Sequence, residues 1–313
     1  MPARLMKRIA IVGFGEVGGI FGNDLAKQGI EVSVFDILFD SPNQRQQMFA
    51  KAGTCGVKAA ENLEECLRDA ELVISAVTAS SAAAVAEDAG PLLRVGQTFL
   101  DINSVSPETK RTLAAQIGRG QAHFAEAAVM TAVAAPRLKV PMLLGGQHAV
   151  ETAERLRSVG MNATPLSERV GVASAVKMCR SVIIKGLEAL TVECLFAARQ
   201  YGAEDAVLES LAATYPSLGW KDQLPDYLIS RVAQHGIRRS AEMREVAQAV
   251  EAVGIEPKMA LAVAERQERL VLEMREKGVG FEEKTSFSWR PLADAIGGRQ
   301  PGSLRVSQRE NRP

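Results

Sequence analysis

The chain has 313 residues, 47% of them hydrophobic and 24% charged, with 37 basic residues balancing 37 acidic ones. That length suffices for two domains with a core each, the charge balance excludes a protein whose main work is gripping nucleic acid or an anionic membrane, and no apolar run approaches the ~20 residues that span a bilayer. Cys55, Cys66, Cys179 and Cys194 lack metal-type spacing and fit a reduced, cytoplasmic setting, the three histidines His123, His148 and His235 argue against a histidine-rich metal site, and Met1–Arg8 is too short and too charged for a signal peptide.

The first element is an apolar, strand-type run, Ile9–Val12, which enters Gly13-Phe14-Gly15-Glu16-Val17-Gly18. A helical pattern follows from Glu16 to Gln28, Gly29 ends it, and a second strand, Glu31–Phe35, stops at Asp36. This is a βαβ unit with the Gly-x-Gly-x-x-Gly spacing of a dinucleotide site. Gly13 permits the tight turn, Gly15 lets backbone approach a pyrophosphate, and Gly18 lets the helix pack on the strand. The amides around Phe14, Glu16 and Val17 and the positive end of the helix face the phosphates. A carboxylate at Asp36 accepts the ribose hydroxyls and repels a 2′-phosphate, so the expected cofactor is NAD.

Further elements follow in order. A polar segment, 40–53, carries a short helix; Val57–Ala59 is a short strand and Leu63–Arg68 a turn or two of helix. Leu72–Val77 reads as a buried parallel strand, with Val77 and Thr78 ending it beside the nicotinamide ribose. Ala79–Ala89 is helical and Thr98–Ile102 a strand. Pro107–Ile117 is a helix capped by Ser106, and His123–Ala127 and Met142–Leu144 are strands. The alternation predicts a doubly wound, mostly parallel sheet, a Rossmann domain, over residues 1–166. Ligands bind outside the carboxyl ends of such strands, which singles out Asn103 and Ser104 as candidate donors to a substrate carboxylate.

From Val170 to Gln200 there is no proline, and apolar residues recur at helical spacing. A helix over 170–200, roughly 45 Å long at 1.5 Å per residue, opens an all-α domain spanning 167–313 and links the two halves. Its residues Lys177, Ser181, Lys185 and Glu188 share one face, with Arg180 beside them. A polar stripe on a helix that is otherwise buried demands partners. Later helices are expected at 204–214, 227–235, 240–253 and 257–276, with Gly236 and Gly254 marking ends. The tail, 297–313, is polar and basic and is expected to be mobile.

These motifs, in this order, resemble the β-hydroxyacid dehydrogenases, the family of 3-hydroxyisobutyrate, tartronate semialdehyde reductase and 6-phosphogluconate enzymes. The glycine turn matches their cofactor motif, and Asp101-Ile102-Asn103-Ser104-Val105-Ser106-Pro107 resembles their substrate loop. The spacing of Gly171 and Lys177 matches their catalytic-lysine helix. The resemblance implies NAD-dependent interconversion of a β-hydroxy acid and its carbonyl form, with Lys177 as general acid/base. It also implies a small-molecule hydroxy acid or carbonyl substrate and a homodimer, with neither nucleic acid nor membrane as partner and no metal. Burial and the Arg180 charge are expected to lower the lysine from its usual ~10.4. The chain departs from the family in three places. Met130-Thr131-Ala132 stands where the family has Ser-Gly-Gly, Ser181 where it has Asn, and Arg244-Glu245 where it has a Lys-Asp pair. Thr131, Arg180 and Ser181 therefore join Asn103 and Ser104 as candidate substrate contacts, and the pocket is expected to be narrower and less polar than the family's. The rival readings are a non-catalytic NAD(H) binder, an imine reductase, which Lys177 argues against, and an oxidative decarboxylase of the 6-phosphogluconate type, hinted at by Arg238-Arg239.

Overall fold

The computed structural model describes residues 6–120, 122–281 and 287–297, so most of the basic tail lies outside the described residues. The chain divides into two compact units, Met1–Cys179 and Arg180–Pro313.

The first unit alternates strands and helices: β1 (Arg8–Val12), α1 (Glu16–Ala26), β2 (Glu31–Phe35), α2 (Arg45–Cys55), β3 (Lys58–Ala59), α3 (Leu63–Leu67), β4 (Leu72–Ser75), α4 (Ala82–Ala89), β5 (Thr98–Asp101), α5 (Pro107–Gly118), β6 (His123–Val129), β7 (Met142–Gly145), α6 (Ala149–Ser158) and β8 (Ala163–Ser167). The strands form one sheet in the order β3-β2-β1-β4-β5-β6-β7-β8. All neighbours run parallel except β6 and β7. The order reverses direction at β1 and β4, so the carboxyl ends of those strands frame a crevice. Side chains alternate across the sheet: Ile9, Ile11, Leu72 and Ile74 enter one core, and Ala10, Val12, Val73 and Phe99 the other. Both faces are thus covered, as the unbroken apolar strands require.

β8 and α6 have no counterpart in the expected elements. β8 contains Pro165, which lacks an amide donor, and it survives because it lies at the sheet edge, pairing only with β7.

The long helix α7 (Val172–Tyr201) has 30 residues, matching the expected span. The compact division falls inside it, between Cys179 and Arg180, rather than at residue 166. Beyond it come α8 (Glu204–Thr214), α9 (Leu224–Glu251), α10 (Lys258–Glu276) and α11 (Trp289–Gly297), around a core of Val192, Leu195, Ile229, Val232, Leu270 and Trp289. One expectation fails here. The helices foreseen at 227–235 and 240–253 are a single helix, α9, running straight through Gly236. A Cβ at Gly236 would overlap the carbonyl oxygen of Gln267 in α10, so this glycine is a contact point between two helices and not a helix end.

Candidate active site at the carboxyl edge of the sheet

The three motif glycines serve three separate purposes. Gly13 has φ +94°, and a Cβ there would stand 2.5 Å from the carbonyl oxygen of Ala76. A Cβ at Gly18 would overlap the carbonyl oxygen of Gly13, so α1 can start on the turn only because that side is bare. At Gly15 an added Cβ meets nothing within 4 Å. Packing therefore demands the first and third glycines, whereas the second faces open space that a bound group would fill. Gly15 also caps α1 without a side-chain hydrogen bond, which leaves the first amides of the helix for an anion. These features fit a dinucleotide pyrophosphate.

Asp36 ends β2 against this turn. Its Oδ2 accepts the Phe14 amide at 2.7 Å and its Oδ1 the Leu38 amide at 2.9 Å, which fixes a half-buried carboxylate where ribose hydroxyls are expected. Phe14 is fully buried and packs near Phe39, so it offers the cofactor only its backbone. Lys51 of α2 completes the turn. Its Nζ donates to the carbonyls of Phe14 at 2.5 Å and Gly15 at 2.8 Å and stands 4.5 Å from the Phe14 ring centroid. The ammonium fixes both peptide planes and places positive charge beside the phosphate position. No local pattern around residue 51 signals this role.

The other candidates follow the ends of successive strands. Val77 (half-buried) and Thr78 (exposed) come after β4, Asn103 and Ser104 after β5, and Thr131 after β6. Because β1, β4, β5 and β6 are adjacent, these residues form a row along one edge. The hydroxyl of Thr78 is shared with Ser80 and Ser81 at 3.0 and 2.9 Å. Asn103 is buried, and its amide donates to Ser75 Oγ at 2.9 Å and to the Asp101 carboxylate, while its own Oδ1 lies buried without a partner. Its donors are thus committed to the sheet, in contrast to the sequence reading, which gave them to a substrate. Asp101 is itself neutralised by Lys110 of α5, whose Nζ donates to both its carboxylate and, at 2.9 Å, its carbonyl. Both side chains are 1% exposed. Ser104 and Thr131 stand half-buried and exposed at the edge. Ser106 is a helix cap, accepting the Thr109 amide at 3.2 Å.

A buried carboxylate also anchors the start of α7. Glu126 of β6 is 0% exposed, and its Oε1 accepts the amides of Gly171 at 2.6 Å and Ala173 at 3.2 Å. Gly171 has φ +97°, and Gly145 leaves room for the carboxylate that a Cβ would overlap. The sequence did carry a signal for this anchor, since one charge in the apolar strand His123–Val129 calls for a partner.

The polar stripe on α7 has two fates. Lys177 lies half-buried within the first unit. Arg180 is exposed and Ser181 buried at the start of the second. Farther on, Lys185 pairs with Glu242 at 2.6 Å and Glu188 with Arg239 at 2.5 Å, both pairs tying α7 to α9. Burial lowers the Lys185 pKa against the pull of Glu242, and burial raises that of Glu188 against Arg239. Arg238 also pairs with Glu242 at 2.5 Å. Arg239 is therefore tied into helix packing, whereas Arg238 is exposed and pairs within its own helix. Among the described residues no helix is long and apolar enough to cross a membrane.

Comparison with known proteins agrees with this geometry. A profile of the NAD binding domain of 6-phosphogluconate dehydrogenase matches residues 8–164, and one for a domain of unknown function (DUF1932) matches residues 198–270. The solved structure of a conserved hypothetical protein from Sinorhizobium meliloti 1021 is 34% identical, with 96% of this chain and 98% of that one covered and a TM-score of 0.79. A 3-hydroxyisobutyrate dehydrogenase of Pseudomonas aeruginosa is 27% identical over 224 residues, 69% of this chain and 72% of the other. The Mycobacterium tuberculosis 3-hydroxyisobutyrate dehydrogenase, solved with L-serine, shares the fold, with a TM-score of 0.71 at 15% identity over 94% of this chain and 99% of that one. With an NAD-binding domain over residues 8–164 and a divergent helical C-terminal half, the chain belongs to the β-hydroxyacid dehydrogenase family.

Proposed function

We propose that the protein is an NAD-dependent oxidoreductase that interconverts a β-hydroxy acid, or a related hydroxy compound, with its carbonyl form. The observation that carries this reading is the row along the carboxyl edge: the open face at Gly15, the fixed carboxylate of Asp36, and the hydroxyls of Ser104 and Thr131 on neighbouring strand ends. Bound NAD supplies the hydride acceptor. Lys177 takes the proton of the substrate hydroxyl at its Nζ and returns it in the reverse direction. Ser104 and Thr131 donate to the substrate carboxylate, and Arg180 adds charge. Ser181 shapes the same helix face, and Asn103 holds the loop that presents Ser104. Val77 and Thr78 border the nicotinamide ribose. With Met130 in place of a small polar residue, the preferred substrate carries an apolar or aromatic portion. The reading includes a cytoplasmic homodimer, supported by Ile183 and Leu190 of α7, which are 72% and 56% exposed.

A panel of hydroxy acids and semialdehydes with NAD or NADH, read by the absorbance of the reduced nicotinamide, tests the reaction. Lys177→Ala should lose ~10²–10⁴ in turnover while still binding NADH, the usual scale of acid–base help. Unchanged turnover would remove Lys177 from its role. Carbon dioxide among the products would replace the reading with oxidative decarboxylation, and tight NADH binding without turnover on any substrate would leave only a binder. Size-exclusion chromatography with light scattering tests the dimer.

A further inference from the structure

Two of the chain's three histidines meet at the sheet edge opposite the glycine turn. His123 opens β6, whose direction matches β5, β4 and β1, so it lies at the amino edge. β7 runs the other way and returns the chain to that edge, where His148 caps α6. The two imidazoles stack with centroids 3.7 Å apart and planes 6° from parallel. Glu151 stands in the first turn of α6, three residues after His148 and on the same helix face. One donor atom from each of the three residues lies within 4.8 Å of the other two. Both histidines are half-buried and Glu151 is exposed. Nothing in the dinucleotide site uses any of them.

We propose that His123, His148 and Glu151 form a site for a divalent transition-metal ion of the zinc class. Two imidazoles and one carboxylate form a ligand set that suits Zn²⁺, with a fourth position left to water. Tetrahedral bonds of about 2.0–2.1 Å place ligand atoms about 3.4 Å apart, so the three donors need to draw together by little more than an ångström. The rings must also fan out of their stack so that their lone pairs converge. The backbone of His123 is fixed in place, since its amide donates to the Gln97 carbonyl at 2.8 Å and its strand pairs with Thr98, so only its ring can turn. His148 sits at a helix cap and Glu151 on the surface, so those two supply the movement. The positive end of α6 opposes a cation, and the Glu151 carboxylate offsets it. Arg155, one turn on, is engaged by Thr98 Oγ1, on the residue paired with His123, and by the Glu71 carbonyl. The ion would clip the start of β6 to α6 and stiffen the β6–β8 side of the sheet.

The experiment uses the full chain, free of any affinity tag and stripped with a chelator. ZnCl₂ is titrated calorimetrically, and CoCl₂ is followed by its visible absorption. The expected result is one equivalent of metal per chain, a Kd in the micromolar range or tighter, a tetrahedral cobalt spectrum, and a rise of a few degrees in Tm. His123→Gln and His148→Gln should each abolish all four signals. Glu151→Gln, at an exposed position that leaves folding intact, should weaken binding at least tenfold. His235→Gln should change nothing. Circular dichroism and NADH binding verify that each variant is folded. The proposal is overturned if the wild-type chain takes up no zinc at millimolar concentration. Binding that survives His148→Gln unchanged, and so rests on other donors such as the exposed Cys179 and Cys194, would overturn it equally.

Discussion

The sheet unit and the helical unit bury charge in different ways. In the sheet unit, buried charges hold backbone. Asp101 and Lys110 fix the loop after β5, Glu126 holds the amides that begin α7, and the half-buried Asp36 and Lys51 brace the glycine turn in the same way. In the helical unit, buried charges join side chain to side chain between helices, as in Lys185–Glu242, Arg239–Glu188 and Arg199 with Glu204 and Asp294. The first arrangement sets the conformation of the loops and turns that follow the strands, and the second sets which helices are neighbours. A buried charge on α7 is therefore no evidence of chemistry until its partner is known. Lys185 has such a partner in Glu242 and is a packing residue.

Breaking one buried pair in the sheet unit should give the largest effect. Lys110→Met leaves Asp101 charged and uncompensated at 1% exposure, a lesion of about 3–5 kcal/mol. Chemical denaturation should show that loss, and NADH binding should weaken with it because the β5 loop is released. A stability change under 1 kcal/mol would mean that the pair is dispensable.

The corresponding lesion among the helices is Gly236→Ala. The added methyl overlaps Gln267 and forces α9 from α10, which should cost about 1–3 kcal/mol by overpacking. NADH binding should stay near normal, since the glycine turn proposed to hold the dinucleotide belongs to the other unit. Equal loss of both properties would erase the contrast between the units.

Acidification sharpens the comparison further. Burial first, then the charges of Arg231, Arg238 and Arg239, push the His235 imidazole down to about 4, with Glu242 pulling the other way. Lys185 and Glu188 of α7 are paired to Glu242 and Arg239 of α9, the helix that carries His235. The unfolded chain titrates near ~6.5 and takes up its proton first. Stability from this group is full above that value and is lost as pH falls toward 4. The Tm should drop between pH 7 and 5, and His235→Asn should flatten part of that drop. An identical profile in the variant would exclude His235 as the cause.

The smallest expected change is at Lys51. Lys51→Met keeps the packing stem but removes the ammonium from the Phe14 and Gly15 carbonyls. The KM for NAD should rise several-fold with kcat nearly constant, because the lesion touches cofactor binding and not the proton-transfer group. A fall in kcat at unchanged KM would contradict that assignment.

What the sequence revealed tracks how local each cause is. Gly13, Gly15, Gly18 and Asp36 belong to a turn and its two flanking strands, so spacing alone located that turn between β1, α1 and β2. Ser106 was legible as a cap for the same reason. Asn103 was placed correctly at a strand end but misjudged in its bonding, because Ser75 and Asp101 compete for its amide. Gly236 looked like a helix end because a glycine needed for close approach and one needed for a left-handed turn are the same letter. Lys51 and Lys110 act across folds of the chain that no local pattern reports, while Glu126 left a trace as an isolated acid in an apolar strand. β8 was hidden by Pro165, a residue tolerated there only because the strand has a free side.

The bare flank of Gly15 gives the experimenter an unusual handle. Since no atom beyond its chain neighbours lies within 4 Å of where a methyl would go, an alanine at this one position would leave the resting polypeptide undisturbed and obstruct only an incoming nucleotide. That one methyl would act as a dimmer for occupancy, separating what the scaffold does by itself from what it does when loaded.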